Sequence, residues 1–303
     1  MSRHSSAPPW RIHLALASAQ AGFALFPIFG KVALASIPPL AFSALRVVGA
    51  VLILDAYRLS QQPETIRPSD RKRLLVYGLL GISFNQILFI LGLSLTTAIN
   101  TTILTATIPV FTLAAAALLG RESLTTRSMA GLALAGAGAY VLLTAQRFSW
   151  ASASFRGVSL LLLNCMSYSL YLVFSRPILA HYSVATFTAT VFRYGAILIV
   201  LVALPQLVRL DWNAIPPEAW ACALAVIVLC TAIPYLLNSW ALARTQASHV
   251  AFYVFIQPVI TTVLAIALLG ERLTTKTAMA AILILAGLAV AMIRGHLSAR
   301  PVP

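Results

Sequence analysis

Residues 109–126 read PVFTLAAAALLGRESLTT, and residues 258–275 read PVITTVLAIALLGERLTT. Nine of these eighteen aligned positions are identical at a constant offset of 149 residues, including the pairs Pro109/Pro258 and Glu122/Glu271. Shared apolar composition does not account for this agreement, because proline, glutamate and threonine are among the identities. The repeat indicates two related halves, and we predict that they comprise residues 1–146 and 147–303.

The chain around the repeat is far more apolar than a soluble protein. Apolar residues make up 60% of the sequence and charged residues 9%, whereas soluble domains average about 45–50% and about 25%. A helix that crosses a bilayer needs roughly 20 apolar residues, and ten such runs occupy almost all of the chain. The sequence predicts an all-α integral membrane protein with ten transmembrane helices, at residues 12–33, 38–58, 73–94, 99–120, 127–145, 157–179, 184–206, 218–241, 247–269 and 275–294.

The helix count determines how the two halves are related. Each half contains five predicted helices, and five is odd, so the second half starts from the opposite side of the membrane. The two five-helix repeats are therefore predicted to be inverted with respect to each other. Inverted repeats are typical of alternating-access transporters, whose substrate site lies between the halves near the midplane of the membrane.

The distribution of lysine and arginine predicts the orientation of the chain. With a cytoplasmic N-terminus, thirteen of the 21 basic residues fall on the cytoplasmic side and six on the outer side, while Arg46 and Arg193 lie inside helices. Cytoplasmic loops carry the excess of positive charge, so both termini are predicted to be cytoplasmic. Because the net charge of +14 is held largely in short loops between apolar runs, we expect a lipid bilayer and no nucleic acid as partner.

The doubled motif resembles the signature of a known family. The stretch from Pro109 to Leu124 and its copy from Pro258 to Leu273 are similar to the repeated motif of EamA-type transporters, which belong to the drug/metabolite transporter superfamily. The resemblance covers essentially the whole chain and implies ten helices and the export of small metabolites. The chain is also similar to bacterial aromatic amino-acid exporters of the YddG type, which implies a multi-pass protein of the bacterial inner membrane.

Polar and aromatic side chains recur at helical spacing on several predicted helices. Lipid penalises such groups, so they should face other helices or a wet cavity. One interpretation is hydrogen bonding between helices, worth about 0.6 kcal/mol on average. The other is a site for a small molecule with an aromatic or apolar body and a zwitterionic head. The candidate substrate-binding residues are Gln20, Asn85, Gln86, Thr101, Thr105, Asn164, Tyr168, Tyr171, Tyr235, Asn238, Tyr253 and Gln257.

Two prolines are candidate hinges, and six charged residues are candidate gate or structural residues. Pro109 and Pro258 fall near the middle of predicted helices and indicate kinks, either as hinges of the cavity or as packing features. The charged residues are interpreted as gate or structural charges, and the basic ones could also attract a substrate carboxylate. They are Lys31, Arg46, Arg176, Arg193, Glu122 and Glu271.

Small residues predict a close contact between the fifth and tenth helices. Gly131, Ala135 and Ala139 follow one another at intervals of four, and Ala280 and Gly287 lie on the tenth helix. Small side chains at such spacing let two helix backbones approach each other in a membrane. We expect this contact to hold the two halves together.

The functional prediction is a membrane exporter, with aromatic or apolar amino acids as its cargo. Sugar phosphates, nucleotides and cationic drugs are the alternative cargoes, and the oligomeric state stays open between monomer and oligomer. No acid lies at mid-depth in a predicted helix, which weakens proton coupling and leaves facilitated diffusion open. An intramembrane enzyme is disfavoured because the sequence lacks HExxH, G-x-S-x-G and paired acids inside helices. We expect no catalytic residue, no cofactor and no metal ion.

The orientation can be tested with a reporter enzyme, fused after Pro303, that is active only outside the cytoplasm. Because the basic residues concentrate on one side, we expect this fusion to be inactive and a fusion in the loop near Ser36 to be active. Activity of the fusion after Pro303 would contradict both the orientation and the even number of spans.

Overall fold

The chain folds into a bundle of helices. A computed structural model describes residues 8–121, 125–145 and 152–292, and every regular element within these ranges is helical. The described helices are α1 Pro9–Leu34, α2 Pro39–Leu59, α3 Pro68–Leu95, α4 Ala98–Leu118, α5 Thr126–Ala145, α6 Ala153–Ser175, α7 Val184–Arg209, α8 Pro217–Leu242, α9 Ala247–Leu269 and α10 Thr275–Met292.

Eight of these helices, α1 to α4 and α6 to α9, are long and apolar enough to cross a membrane. The prediction of an all-helical membrane protein is thereby confirmed. The apolar part of α10, Thr275–Val290, is shorter than the other spans. The count of ten transmembrane helices, the inverted relation of the halves and their boundary at residue 146 stay predictions.

The predicted helix bounds agree closely with the structure. Helix α6 begins and ends four residues earlier than predicted. This helix begins at Ala153 because the Ser152 side chain accepts a hydrogen bond from the Phe155 backbone N–H and so caps its first turn. It ends at Ser175, two residues before Pro177, which has no N–H to continue the helical hydrogen bonds. The prediction of residues 157–179 missed both signals.

Helices α3 and α8 each contain a π-helical segment that the sequence did not reveal. The segments are Leu79–Phe84 and Val228–Ala232, and their first residues lie 149 positions apart. π-Helical turns widen a helix locally and are frequent at functional sites. Gly22 of α1 approaches the second segment so closely that a Cβ would lie 2.6 Å from the Leu229 carbonyl oxygen.

Helices α4 and α9 are interrupted near their middles. Helix α4 consists of Ala98–Thr105 and Ile108–Leu118, while α9 changes to a 3₁₀ turn at Tyr253–Phe255 before it resumes at Ile256. Pro109 and Pro258 follow directly after these interruptions. Proline removes one backbone donor and clashes with the carbonyl four residues earlier, so the structure contains a local physical reason for both breaks.

Helices α2 and α7 run side by side. At the N-terminus of each helix, backbone N–H groups donate hydrogen bonds to a side chain from the other half of the chain. The Gln206 Oε1 atom accepts hydrogen bonds from the backbone N–H groups of Leu40 and Ala41, at 2.8 and 3.1 Å. At the opposite end, the Glu64 carboxylate accepts from the Ser183 backbone N–H at 2.9 Å and from its hydroxyl at 2.7 Å. These bonds supply partners for N–H groups that a helix N-terminus leaves unpaired.

Helices α5 and α10 pack tightly against each other, which confirms the predicted small-residue contact. A Cβ at Gly138 would lie 2.8 Å from the Ala280 carbonyl oxygen, and a Cβ at Gly287 would lie 2.6 Å from the Gly131 carbonyl oxygen. The pair sits beside α4, away from the centre of the bundle, where α1, α8 and α9 pack together and α6 contacts α3 and α4. The centre is therefore built from the remaining helices.

The contact between α5 and α10 can be tested by comparing Gly138→Leu with Gly136→Leu. Both changes replace glycine by leucine in the same helix, but a side chain at Gly136 meets nothing within 4 Å. We expect Gly138→Leu to lower the free energy of unfolding by about 1–3 kcal/mol, the usual cost of overpacking, and Gly136→Leu to leave it unchanged or slightly higher. Thermal unfolding of the purified variants in detergent measures the difference. Equal stability of the two variants would contradict the close contact.

Candidate functional site

A small cavity of about 60 Å³ lies at the centre of the bundle. It is surrounded by α1, α2, α3, α4, α6, α8 and α9, so both halves of the chain contribute to it. Amide, hydroxyl and aromatic groups dominate its wall, and one cation lies among them. Its lining residues are Gln20, Phe23, Phe26, Arg46, Asn85, Gln86, Phe89, Thr105, Ile108, Asn164, Tyr168, Tyr235, Val254 and Gln257.

The structure brings together most of the polar residues singled out from the sequence. Of the twelve candidate substrate-binding residues, eight line this cavity: Gln20, Asn85, Gln86, Thr105, Asn164, Tyr168, Tyr235 and Gln257. The apolar lining residues Phe26, Phe89, Ile108 and Val254 could not be predicted, because nothing in the sequence distinguishes them from the other apolar residues of the same helices.

Arg46 is a buried cation in the cavity wall. Its side chain is 2% exposed, and its guanidinium carbon lies 3.7 Å from the centre of the Phe26 ring. The Nε atom donates to the Thr231 hydroxyl at 2.6 Å, and Nη1 donates to the Gln86 side-chain oxygen. Within residues 8–121, 125–145 and 152–292, no carboxylate forms an ion pair with it. A cation at the centre of a membrane costs about 3 kcal/mol or more, so this residue needs a further explanation.

A chain of hydrogen bonds continues from Arg46 into α3 and α8. The Gln86 Nε2 atom donates to the Tyr235 hydroxyl at 2.8 Å, and that hydroxyl lies 3.1 Å from the Asn85 Oδ1 atom. Asn164 of α6 donates to the Asn85 backbone carbonyl at 2.7 Å. The two π-helical segments end directly before Asn85 and three residues before Tyr235. The irregular turns therefore lie where α3 and α8 present these side chains to the cavity.

The interruptions of α4 and α9 present a second polar cluster. Gln257 donates through Nε2 to the Gln20 Oε1 atom at 2.6 Å, and the Thr105 hydroxyl lies 3.3 Å from the Gln257 Oε1 atom. Thr105 is the last residue before the break in α4, and Gln257 is the second residue after the 3₁₀ turn in α9. The cluster joins α1 and α4 to α9 across the cavity.

Aromatic rings form the rest of the wall. The Tyr235 ring contacts Phe23 and Tyr168 edge to face, with centroids 5.4 and 6.4 Å apart, and Phe26 stacks on Phe89 at 4.7 Å. Edge-to-face and offset arrangements are the favoured geometries of aromatic pairs. The cavity thus combines a flat apolar surface with a polar surface.

Two candidate residues lie directly behind the wall. Asn238 donates to the Tyr168 hydroxyl at 2.9 Å, while its own Oδ1 atom is buried without a partner among the described residues. Tyr171 packs on Tyr168 and Phe187, and a Cβ at Gly81 would overlap its ring. These residues support the lining and do not themselves face the cavity.

The remaining two candidates lie farther away. Thr101 is buried within α4 and donates to the Thr97 carbonyl at 2.8 Å. Tyr253 hydrogen-bonds to His13 near the start of α1, at the end of the bundle that carries Arg67 and Arg73. We call this end the basic end. The contact joins α1 to the interrupted part of α9.

The two halves of the sequence also align Arg46 with Arg193, with a small length change between them. The structure gives these charged candidates different surroundings. Arg193 lies outside the cavity and forms an ion pair with Asp55 of α2 at 2.8 Å, with the two side chains 44% and 22% exposed. Arg176 donates to the Thr245 carbonyl at 2.9 Å and braces the loop before α9. Arg46 and Arg193 are therefore not equivalent in the folded protein.

Glu271 lies at the end of the bundle opposite the basic end. Its carboxylate accepts hydrogen bonds from the backbone N–H groups of Ala98 and Ile99 at 2.7 and 2.9 Å, and Lys31 lies within its electrostatic reach. It therefore caps the N-terminus of α4 from the end of α9, where a negative charge is favourable. Glu122, its counterpart in the repeat, lies outside the described residues.

A larger cavity of about 520 Å³ opens at the basic end and is lined by Arg67, Asp70, Arg73, Arg121 and His181 among others. Asp70 accepts a hydrogen bond from Tyr182 at 2.5 Å. The pKa of the Tyr182 phenol is raised, mainly by burial and secondly by this hydrogen bond. The arginines here are exposed, so water and salt screen their charge. The central cavity, whose polar lining residues are buried, is therefore the stronger candidate for a specific site.

A membrane bundle that closes around a small polar and aromatic cavity has the architecture of a transporter. The chain belongs to the EamA-like transporter family, whose model matches residues 10–144 and 155–293. Membership in a transporter family favours transport over catalysis. Across the described ranges, no group of three or more His, Cys, Asp or Glu residues could hold a metal ion.

Individual relatives extend along most of the chain. An uncharacterized transporter from Archaeoglobus fulgidus is 28% identical over 295 residues, which cover 94% of this chain and 99% of that protein. Protein WALLS ARE THIN 1 from Arabidopsis thaliana is 26% identical over 324 residues, covering 92% of this chain and 81% of that protein. A solved crystal structure superposes with a TM-score of 0.68 over 96% of this chain and 100% of that chain. At its 19% identity, this likeness shows the fold alone.

The Glu271 cap can be tested with Glu271→Ala and with Arg272→Ala at the neighbouring exposed position. We expect Glu271→Ala to lower the free energy of unfolding by about 0.5–2 kcal/mol, the usual cost of losing an N-terminal cap. Arg272→Ala should have little effect. Thermal unfolding in detergent, monitored by size-exclusion chromatography, compares the two. A loss confined to Arg272→Ala would refute the assignment of the cap.

Proposed function

We propose that this protein exports amino acids with aromatic or apolar side chains across the inner membrane of a bacterium by alternating access, with both termini in the cytoplasm. The observation that carries this proposal is Arg46, a buried cation in the wall of the central cavity with no carboxylate partner in the described part of the chain. An α-carboxylate is the group that an amino acid would bring to it. Arginine matches a carboxylate with two parallel N–H donors.

The other groups of the cavity suit the rest of an amino acid. Side-chain amides such as those of Asn164 and Gln257 carry oxygen acceptors for an ammonium group, without the desolvation cost of a fixed negative charge. The rings of Phe23, Phe26 and Phe89 provide an apolar surface for an aromatic or branched side chain. This division into a polar and an apolar part supports a zwitterionic head and an apolar body. The proposal agrees with the likeness to YddG-type exporters.

Transport requires the cavity to enlarge. Ligand sites for small molecules are typically about 300–1,000 Å³, whereas the cavity here is about 60 Å³. We infer that the structure is a closed state and that binding opens it toward one side at a time. The interruptions at Pro109 and Pro258 are the proposed hinges, because the helix there already lacks regular hydrogen bonds. The contact between Gln20 and Gln257 must break as the halves part.

The alternative cargoes fit the cavity less well. A phosphate group is usually bound by several cations, and Arg46 is the single Lys or Arg in the described cavity lining. A cationic drug would need an acid or an uncharged aromatic cage, but a cation already occupies this wall. The described lining also contains no Asp, Glu or His to carry a proton. We therefore propose that the substrate moves down its own gradient.

The proposal can be tested by measuring the flux of labelled tryptophan, phenylalanine and leucine in proteoliposomes, with and without a pH gradient. We expect Arg46→Gln to raise the half-saturating substrate concentration at least tenfold, about 1.4 kcal/mol, because the carboxylate loses its charged partner. Amino-acid methyl esters, which lack that carboxylate, should not compete with the free acids. A pH gradient should change the initial rate less than twofold.

Arg209→Gln is the matched control, since it removes the same charge from an exposed position at the end of α7. Its flux should stay within twofold of the wild type at equal folded yield. Methyl esters that compete as well as the acids, together with normal flux in Arg46→Gln, would refute the carboxylate site. A strict requirement for a pH gradient would refute uncoupled transport and leave the carboxylate site intact.

A further inference from the structure

The charge of Arg46 stays largely uncompensated in the closed state. An arginine side chain carries five N–H donors and is always protonated in proteins. Two of the five donate to protein groups in the described ranges, Thr231 and Gln86. A hydroxyl, an amide oxygen and the face of the Phe26 ring provide dipoles and a quadrupole but no net negative charge. A buried cation without a counter-charge is strongly disfavoured.

The same cavity contains further donors that have no acceptor. Gln20 accepts from Gln257 through its oxygen, which leaves both N–H bonds of its Nε2 atom unused by any described residue. The Tyr168 hydroxyl accepts from Asn238, and no described group accepts the hydroxyl proton. Asn164 contributes one acceptor to the same wall through its side-chain oxygen. Unpaired donors beside a buried cation favour an anion over a cation or a neutral molecule.

The volume of the cavity restricts the size of that anion. Water occupies about 30 Å³ per molecule in the liquid, so a cavity of about 60 Å³ holds about two waters or one ion of halide size. An amino acid is too large for this closed space. The closed state therefore has room for a counter-ion of Arg46 that is smaller than the proposed substrate.

We propose that a small monovalent anion, chloride under cellular conditions, occupies the central cavity beside Arg46 when substrate is absent. The substrate carboxylate takes the place of this anion when the cavity opens. The second statement rests on the proposed function, whereas the anion site itself does not. Chloride would thus neutralise the buried guanidinium during the return of the empty transporter.

The anion site can be tested on purified protein without measuring transport. In a buffer of constant ionic strength whose anion is a bulky sulfonate, replacing the sulfonate by chloride or bromide should raise the midpoint of thermal unfolding in a saturable way, since a ligand that binds the folded state stabilises it. Arg209→Gln should retain this response and Arg46→Gln should lose it. Crystals grown in bromide should show an anomalous scattering peak beside the Arg46 guanidinium. Wild-type protein with no saturable response and no such peak would overturn the proposal, even if Arg46→Gln failed to fold.

Competition separates this inference from the proposed function. In proteoliposomes, saturating chloride should raise the half-saturating concentration of tryptophan at least threefold and leave the maximal rate unchanged. If bromide binds but does not change the half-saturating concentration of tryptophan, the anion site stands, and the proposal that substrate displaces the anion is refuted. Carboxylate-dependent flux in a protein that binds no halide would refute the anion site and leave the proposed function standing.

Discussion

Hydrocarbon offers backbone N–H and C=O groups no hydrogen-bond partner, and the other features of this protein depend on that constraint. A chain in lipid must satisfy these groups within its own helices, and irregular backbone survives where other helices cover it. The breaks in α4 and α9 and the π-helical segments in α3 and α8 obey this rule, because they flank residues of the central cavity. The irregular backbone is therefore concentrated at the candidate site.

The same constraint explains how the two halves are joined. A helix N-terminus has several N–H groups without intrahelical partners, and here side chains from the opposite half supply some of those partners. Gln206 bonds the start of α2, Glu64 the start of α7, and Glu271 the start of α4. Such bonds are directional and few, so they can fix the relative position of two halves and still be exchanged when the halves move.

Much of this architecture could be predicted from the sequence, because apolar runs near 20 residues and a repeated proline motif have few other interpretations. Eight of the twelve candidate residues face the cavity, since a polar side chain within a span has to avoid lipid. Asn238 and Tyr253 satisfy the same rule without facing the cavity: one supports Tyr168 from behind, and the other meets His13 near the basic end. Helical spacing cannot distinguish these cases, because it shows which residues share a face of a helix and not what that face contacts in the folded protein.

The structure also separates two arginines that the repeat makes look alike. Arg193 pairs with Asp55 in a partly exposed position, whereas Arg46 is buried and forms no ion pair with a described acid. No feature of the local sequence reveals which of the two arginines has an acidic partner across the bundle. The π-helical segments are similarly hidden, since they arise from one extra residue in a turn and not from a distinctive residue type.

A fixed positive charge in the wall of the central cavity also bears on the energy supply of the cell. A membrane that stores a proton gradient is endangered by any protein that holds a continuous file of water across it. Arginine side chains in pores act as electrostatic barriers to protons and other cations. With room for about two waters beside the guanidinium, the closed bundle interrupts such a file, and the guanidinium repels cations whenever no anion lies beside it. In the exporter that we propose, Arg46 thereby helps the membrane remain an electrical insulator while substrate crosses it.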